Sequence, residues 1–255
     1  MQHKYNDKNV ENQKSEELTS SHNHHAFTEN KVITKKHHPR IVAFGDSLTF
    51  GYGIEKEEDK WTSIIAKELN CEVINSGVSG HTSSQGLERI KKDVLEKNPD
   101  YVIINFGMND HFMYDYGKAR VPISDYENNI ITIIDRVRKH GAVPVLVIPH
   151  VFIEGNPGDG NTSGADYYYS RHPEKYYRSI GGAVNQLNKY CEAAKKIADE
   201  YQVPLVDINS ISKSMDLNTI LITLENSSED DGVHINEKGA RLYADKIIEV
   251  FKQLI

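Results

Sequence analysis

The chain has 255 residues, of which 38% are hydrophobic and 26% are charged, and its formal net charge is −7. This length predicts one large domain or two small ones. The acidic balance argues against nucleic acid or an anionic membrane as the main partner, and no apolar run approaches the ~18 residues of a transmembrane segment.

The first 40 residues differ in composition from the rest of the chain. They are polar, lack apolar periodicity and hold six of the twelve histidines. Such a segment buries too little surface to offset the entropy lost on ordering, so we expect residues 1–40 to form a disordered arm. The arm lacks the apolar core of a secretion signal. Two locations stay open: the cytoplasm, or a cell surface to which the arm tethers an exported protein without its leader.

From residue 41 onward, short apolar runs alternate with longer amphipathic segments. The runs are rich in β-branched residues and predict strands at 41–44, 72–75, 101–106, 143–148 and 204–207. The amphipathic segments predict helices at 60–69, 84–97, 124–140, 182–201 and 237–254. Strands separated by helices predict one α/β domain over residues 41–255, with a five-stranded parallel sheet covered on both faces.

Residues 151–179 do not fit this alternation. The segment is rich in Gly, Asn, Asp and tyrosine. An insertion of this length in a compact domain is usually functional or mobile. Because it follows a strand end, we expect it to wall a substrate cleft.

Four short polar blocks fall at strand ends or just before a helix. They are Gly-Asp-Ser-Leu at 45–48, Asn-Ser-Gly at 75–77, Gly-Met-Asn-Asp at 107–110 and Asp-Gly-Val-His at 231–234. Each block alone also fits an ordinary turn or helix cap. Active sites of open parallel sheets form beyond the carboxyl ends of the strands, so we expect the blocks to meet there.

Together the blocks supply the groups that acyl transfer through a serine requires. A hydroxyl at Ser47 needs a nearby base, for which His234 is suited, and Asp231 can orient the imidazole from the same turn. The anionic oxygen of the intermediate needs fixed donors. We assign these to the backbone N–H groups of Ser47 and Gly77 and to the side-chain amide of Asn109.

The four blocks in this order resemble the SGNH (GDSL-type) hydrolase family of esterases and lipases. The resemblance implies a flavodoxin-like three-layer α/β/α sandwich, with Ser47, Gly77, Asn109 and His234 as the four family residues and Asp231 as the triad acid. The run at residues 75–87 further resembles the branch of bacterial thioesterase/lysophospholipases and arylesterases.

Four further side chains are candidates for substrate contact, namely His81, His111, His150 and Tyr168. The histidines follow strand ends or the blocks, and the tyrosine belongs to a cluster that would stack on a sugar ring or pack the insertion onto the domain. We expect no metal and no cofactor.

The sequence thus predicts a serine hydrolase acting on carboxylic esters, including thioesters. An esterase that removes O-acetyl groups from a carbohydrate is the alternative, and a non-catalytic binding module on the same fold is a third. A small-molecule or glycan ester is the expected partner, with no nucleic acid and no transmembrane segment. Acyl length, the alcohol or thiol part and oligomeric state stay open.

Overall fold

The computed structural model describes residues 38–155 and 166–255. Nearly all of the arm expected over residues 1–40 therefore lies outside the described residues, as does the middle of the insertion expected at 151–179. The first strand already begins at Arg40.

Five parallel strands form the central sheet, and their order across the sheet is Glu72–Gly77, Arg40–Gly45, Tyr101–Asn105, Val143–Ile148 and Leu205–Asp207. This order is that of a flavodoxin-like doubly wound sheet. The predicted fold class is thus confirmed, with strand ends shifted by one or two residues. The seven strands of the described chain are β1 (Arg40–Gly45), β2 (Glu72–Gly77), β3 (Tyr101–Asn105), β4 (Met113–Asp115), β5 (Lys118–Ala119), β6 (Val143–Ile148) and β7 (Leu205–Asp207).

Helices cover both faces of this sheet. They are α1 (Ser47–Phe50), α2 (Trp61–Glu68), α3 (Ser83–Asp93), α4 (Ile123–Lys139), α5 (Ala183–Glu200), α6 (Ile208–Ser212) and α7 (Glu237–Phe251). Successive side chains of a strand point to opposite faces. Val42 and Phe44 accordingly belong to the core under α3, α4 and α5, whereas Ile41 and Ala43 belong to the core under α2 and α7.

The described part of the insertion contains short 3-10 turns, at Tyr167–Ser170, Glu174–Tyr176 and Arg178–Ile180. These turns are anchored by tyrosines, because Tyr168 and Tyr177 are fully buried in the core beside α5. The sequence prediction also missed β4 and β5, a short antiparallel hairpin between β3 and α4.

None of the helices in the described ranges combines the length and apolar character needed to cross a bilayer.

Candidate active site

The turn between β1 and α1 holds Ser47 in a fixed position. Asp46 caps the helix by accepting a hydrogen bond from the Leu48 N–H at 2.9 Å. Ser47 is the first residue of α1, so its own N–H has no partner within the helix. A β-carbon on Gly45 would lie 2.2 Å from Thr49 Oγ1, so glycine lets the helix begin directly against the strand end.

The side chains of Ser47, His234 and Asp231 form a continuous hydrogen-bonded line, although the first is 187 residues from the second. Ser47 Oγ lies 3.0 Å from His234 Nε2. His234 Nδ1 lies 2.8 Å from Asp231 Oδ2. In this geometry the imidazole can accept the serine proton while the carboxylate holds Nδ1–H.

Asp231 is only 3% exposed. Burial alone would raise the pKa of its carboxyl group, but the hydrogen bond and charge attraction from His234 and the N–H groups of His234 and Val233 outweigh it. The pKa of Asp231 therefore falls well below its usual value. The carboxylate is ionised at neutral pH, where it can stabilise an imidazolium.

His150 supports this turn from inside the protein. Its Nε2 lies 2.7 Å from the Val233 carbonyl oxygen, and its Nδ1 lies 2.8 Å from the Tyr243 hydroxyl. Burial lowers the pKa of His150 to about 4, so the ring is neutral, donating from Nε2 and accepting from Tyr243 at Nδ1. His150 is fully buried, which differs from the expectation that it would contact substrate.

Asn109 is held beside Ser47 by the residue that caps α1. Its Nδ2 donates to Asp46 Oδ2 at 3.2 Å and to the His81 carbonyl oxygen at 3.1 Å. Asp110 fixes the same loop by accepting hydrogen bonds from the Ser83 N–H, the Ser83 hydroxyl and the Gly107 N–H. Burial raises the pKa of Asp46 to about 7 and that of Asp110 to about 6.

Gly77 was expected to donate its N–H to the oxyanion, but the structure places it in the sheet instead. Gly77 is the last residue of β2 and pairs with Gly45, and its N–H donates to Asn75 Oδ1 at 2.9 Å. A β-carbon there would lie 2.2 Å from the Phe50 backbone nitrogen. Gly77 is therefore needed for close packing of α1 on β2, and its N–H is already occupied.

Gly80, three residues later, has the features expected of Gly77. It lines the same cavity as Ser47 and Asn109. Its φ is +78°, a left-handed conformation that glycine adopts without strain. Its N–H donates to no other residue within the described ranges. The sequence signal was its place after the strand and just before Thr82, which caps α3.

A cavity of about 280 Å³ opens at these residues. Tyr52 forms one side, with its ring centre 4.3 Å from that of His234. Apolar side chains and the Arg171-His172 pair of the insertion form the rest of the wall. The lining residues are Ser47, Tyr52, Ser79, Gly80, Met108, Asn109, Phe112, Arg171, His172, Val233 and His234.

Three other predicted contact residues lie elsewhere. His111 and Tyr168 are fully buried, and their side chains meet each other at 3.1 Å behind the cavity wall. His81 holds Asn109 through its carbonyl oxygen, but it is not among the lining residues.

The insertion does wall the cavity, as expected, but through Arg171 and His172. No local signal in the sequence distinguished these two residues from other surface positions.

Across residues 38–155 and 166–255, no three His, Cys, Asp or Glu side chains converge as metal ligands would.

The three-layer fold and the contact between Ser47 and His234 at the end of the first strand are typical of a class of protein, the α/β/α hydrolases. Residues 43–242 match the model of the GDSL-like Lipase/Acylhydrolase family, and the chain belongs to this family. The predicted resemblance and enzyme class are thus confirmed: the protein is an ester hydrolase.

Known proteins similar to this chain include bacterial lipoproteins and esterases. The uncharacterized lipoprotein YqeF of Bacillus subtilis is 34% identical over 173 residues, which are 66% of this chain and 69% of YqeF. Thioesterase 1/protease 1/lysophospholipase L1 of Escherichia coli is 23% identical over 84% of each chain. The crystal structure of Axe2, an acetylxylan esterase from Geobacillus stearothermophilus, matches with a TM-score of 0.59 and 21% identity, over 83% of this chain and 93% of Axe2.

Proposed function

We propose that the protein hydrolyses short-chain carboxylic esters through a covalent acyl-serine intermediate on Ser47. The observation that carries the proposal is the continuous line from Ser47 Oγ to His234 Nε2, at 3.0 Å, and from His234 Nδ1 to Asp231 Oδ2, at 2.8 Å. A nucleophile, its base and an orienting carboxylate in hydrogen-bond contact are what such catalysis requires.

In the first half of the reaction, Ser47 Oγ attacks the carbonyl carbon of the ester while His234 Nε2 takes the hydroxyl proton. The tetrahedral intermediate then collapses. The bond to the alcohol breaks, and His234 returns the proton to the leaving oxygen. In the second half, His234 removes a proton from water, which attacks the acyl-serine. The bond from the acyl carbon to Ser47 Oγ then breaks, His234 returns the proton to Oγ, and the acid leaves.

Three donors are assigned to the anionic oxygen of the intermediate: the N–H groups of Ser47 and Gly80 and the side-chain amide of Asn109. All three residues line the cavity. The two backbone donors have no other partner within the described chain, so they are available without breaking a hydrogen bond. Asn109 must instead give up one of its contacts of 3.1 and 3.2 Å, to His81 and Asp46.

The size of the cavity supports a short acyl group. Its volume of about 280 Å³ lies just below the range of roughly 300–1,000 Å³ that is typical for small-molecule sites. Acetyl and butyryl esters are therefore the preferred substrates, and turnover falls as the chain lengthens.

Removal of O-acetyl groups from a carbohydrate is the second candidate function. It is supported by the small cavity and by the likeness to an acetylxylan esterase. The tyrosine that was expected to stack on a sugar gives no support, because Tyr168 is fully buried. Acetate release from an acetylated glycan, compared with p-nitrophenyl butyrate hydrolysis, separates the two functions.

Replacing Ser47 tests the proposal. Ser47→Ala should lower kcat on p-nitrophenyl butyrate by several orders of magnitude, because the nucleophile is lost. Ser79→Ala is the matched control, since it removes a hydroxyl from the same cavity wall without touching the line from Ser47 to Asp231. Retention of most of the turnover in Ser47→Ala would overturn the assignment of the nucleophile.

A further inference from the structure

Arg171 is the one arginine or lysine that lines the cavity among the described residues. Its backbone is fixed, because its N–H donates to the carbonyl oxygen of the buried Tyr168 at 3.2 Å. Its guanidinium donates from Nη2 to the Asp231 carbonyl oxygen at 2.8 Å, and Nη1 lies 3.4 Å from Asp231 Oδ2. The position of this positive charge is therefore set by the protein.

The guanidinium keeps donors free for a ligand. It carries five N–H groups, and its contacts with Asp231 use two of them. The remaining donors meet no partner in the parts of the chain that the structure describes. The side chain is 45% exposed, so this free edge is accessible from the cavity.

Triad chemistry gives no reason for a cation at this place. Arg171 lies beside Asp231, where it offsets part of the negative charge that would stabilise the imidazolium of His234. Nor is it needed to join the insertion to the turn. Two other hydrogen bonds do so, from the Tyr167 N–H to Asp230 Oδ1 at 2.8 Å and from the Ile153 N–H to the Gly232 carbonyl oxygen at 2.9 Å.

The charge of the cavity contrasts with that of the protein. The whole chain has a net charge of −7, yet no aspartate or glutamate is among the described residues that line the cavity. A second cation, Arg120, lies near enough to act with Arg171 on His172. Burial first, and then these two charges, lower the pKa of His172 to about 4. Among the described residues, the side chains that line the cavity thus include a cation and no carboxylate, although Arg171 is paired with the Asp231 carboxylate behind it.

We infer that the enzyme selects esters bearing a carboxylate close to the ester bond, and that Arg171 binds this carboxylate. A planar guanidinium with free N–H groups matches a carboxylate in geometry, and hydrogen bonds between two charged groups are stronger than those between neutral ones. The inference rests on the proposed function, since it names the substrate class of the same site.

The test compares pairs of esters in which an uncharged group stands in place of the carboxylate. For a carboxylate on the acyl side, the pair is mono-p-nitrophenyl succinate and p-nitrophenyl butyrate. For one on the alcohol side, the pair is p-acetoxybenzoate and p-acetoxybenzamide. The quantity measured is the ratio of kcat/KM for the anionic ester to that for the neutral ester, in the wild type and in Arg171→Gln, Arg171→Lys and Lys175→Gln.

The wild type should prefer the anionic ester in one of the two pairs, and Arg171→Gln should lower that ratio about tenfold or more, as expected for lost hydrogen bonds to a charged group. Arg171→Lys should retain part of the preference because it keeps the charge. Lys175→Gln should retain the whole preference. This substitution removes an equal charge from the same segment, but Lys175 does not line the cavity. Added salt should weaken the preference.

Two results would overturn the inference while leaving the proposed function intact. One is a wild type that hydrolyses neutral esters through Ser47 but shows no preference for the anionic member of either pair. The other is an equal loss on both members in Arg171→Gln, which would mean that Arg171 only positions Asp231. Failure of the wild type to hydrolyse any of the four esters would instead refute the proposed function.

Discussion

Replacing His111 with phenylalanine tests a buried chain of hydrogen bonds behind the cavity. The Met113 N–H donates to the Tyr177 hydroxyl at 2.8 Å, the hydroxyls of Tyr177 and Tyr168 lie 2.8 Å apart, and Tyr168 meets His111 Nε2 at 3.1 Å. His111 Nδ1 lies 3.3 Å from the Gly107 carbonyl oxygen. Burial lowers the pKa of His111, so the ring is neutral, and one arrangement of hydrogens then satisfies all four contacts, with the proton of His111 on Nδ1.

The magnitude follows from the pKa of His111. Burial lowers this pKa to about 3, against about 6.5 for an unfolded histidine. At pH values between these two pKa values, the His111 side chain binds a proton in the unfolded chain but not in the folded protein. The free energy of unfolding therefore falls as the pH falls. At pH 4.5 this contribution costs the wild type about 3 kcal/mol relative to pH 8, and His111→Phe removes it.

The assay is urea unfolding of both proteins at pH 8 and pH 4.5. At pH 8 the variant should be less stable by about 1–3 kcal/mol, because the Tyr168 hydroxyl loses its acceptor. At pH 4.5 that deficit should shrink by about 3 kcal/mol. Tyr190→Phe is the control: it also loses a buried hydrogen bond, to the Val121 carbonyl oxygen, but no group that titrates in this range. A deficit for His111→Phe that is equal at both pH values would refute the reasoning.

Two further predictions concern the loops around Ser47. Asn109→Ala should lower kcat by a factor of about 10²–10³ with little change in KM, because it removes one donor to the anionic intermediate. Steady-state kinetics measure both constants, and a change in KM alone would contradict this role. Gly77→Ala should lower the thermal midpoint more than Gly80→Ala, because a β-carbon lies 2.2 Å from the Phe50 nitrogen at the first position and meets nothing within 4 Å at the second. The reverse order of midpoints, measured by thermal denaturation, would contradict the packing assigned to Gly77.

The strands and long helices were predictable because their signals are local. The buried run that forms β1 and the amphipathic periods of α4 and α5 each specify an element without reference to the rest of the chain. The meeting of Ser47, Asp231 and His234 was predictable for a related reason. Their residue types and their places at element ends limit what they can do, and the order of the strands then brings them together.

The prediction that Gly77 donates to the oxyanion was wrong because it depended on where β2 ends. The strand was expected to stop at residue 75, but it continues to Gly77, which remains paired with Gly45 in the sheet. The turn toward the cavity comes only afterwards, at Ser79 and Gly80. Sequence patterns locate element boundaries less reliably than the elements themselves.

The insertion was the least predictable part because its structure depends on distant contacts. Tyr168 is buried by a partner on another segment, His111, and this anchorage places Arg171 and His172 at the cavity. Nothing in the local sequence separates the buried tyrosine from the exposed side chains that follow it.

The most direct test of the central claim is to locate the covalent adduct formed by a fluorophosphonate probe, which labels activated serines. Mass spectrometry of the labelled wild type should find one adduct, on Ser47, and His234→Ala should form it far more slowly, because the hydroxyl 3.0 Å away has lost its base. An adduct on a different residue, or an equal labelling rate in His234→Ala, would contradict the account.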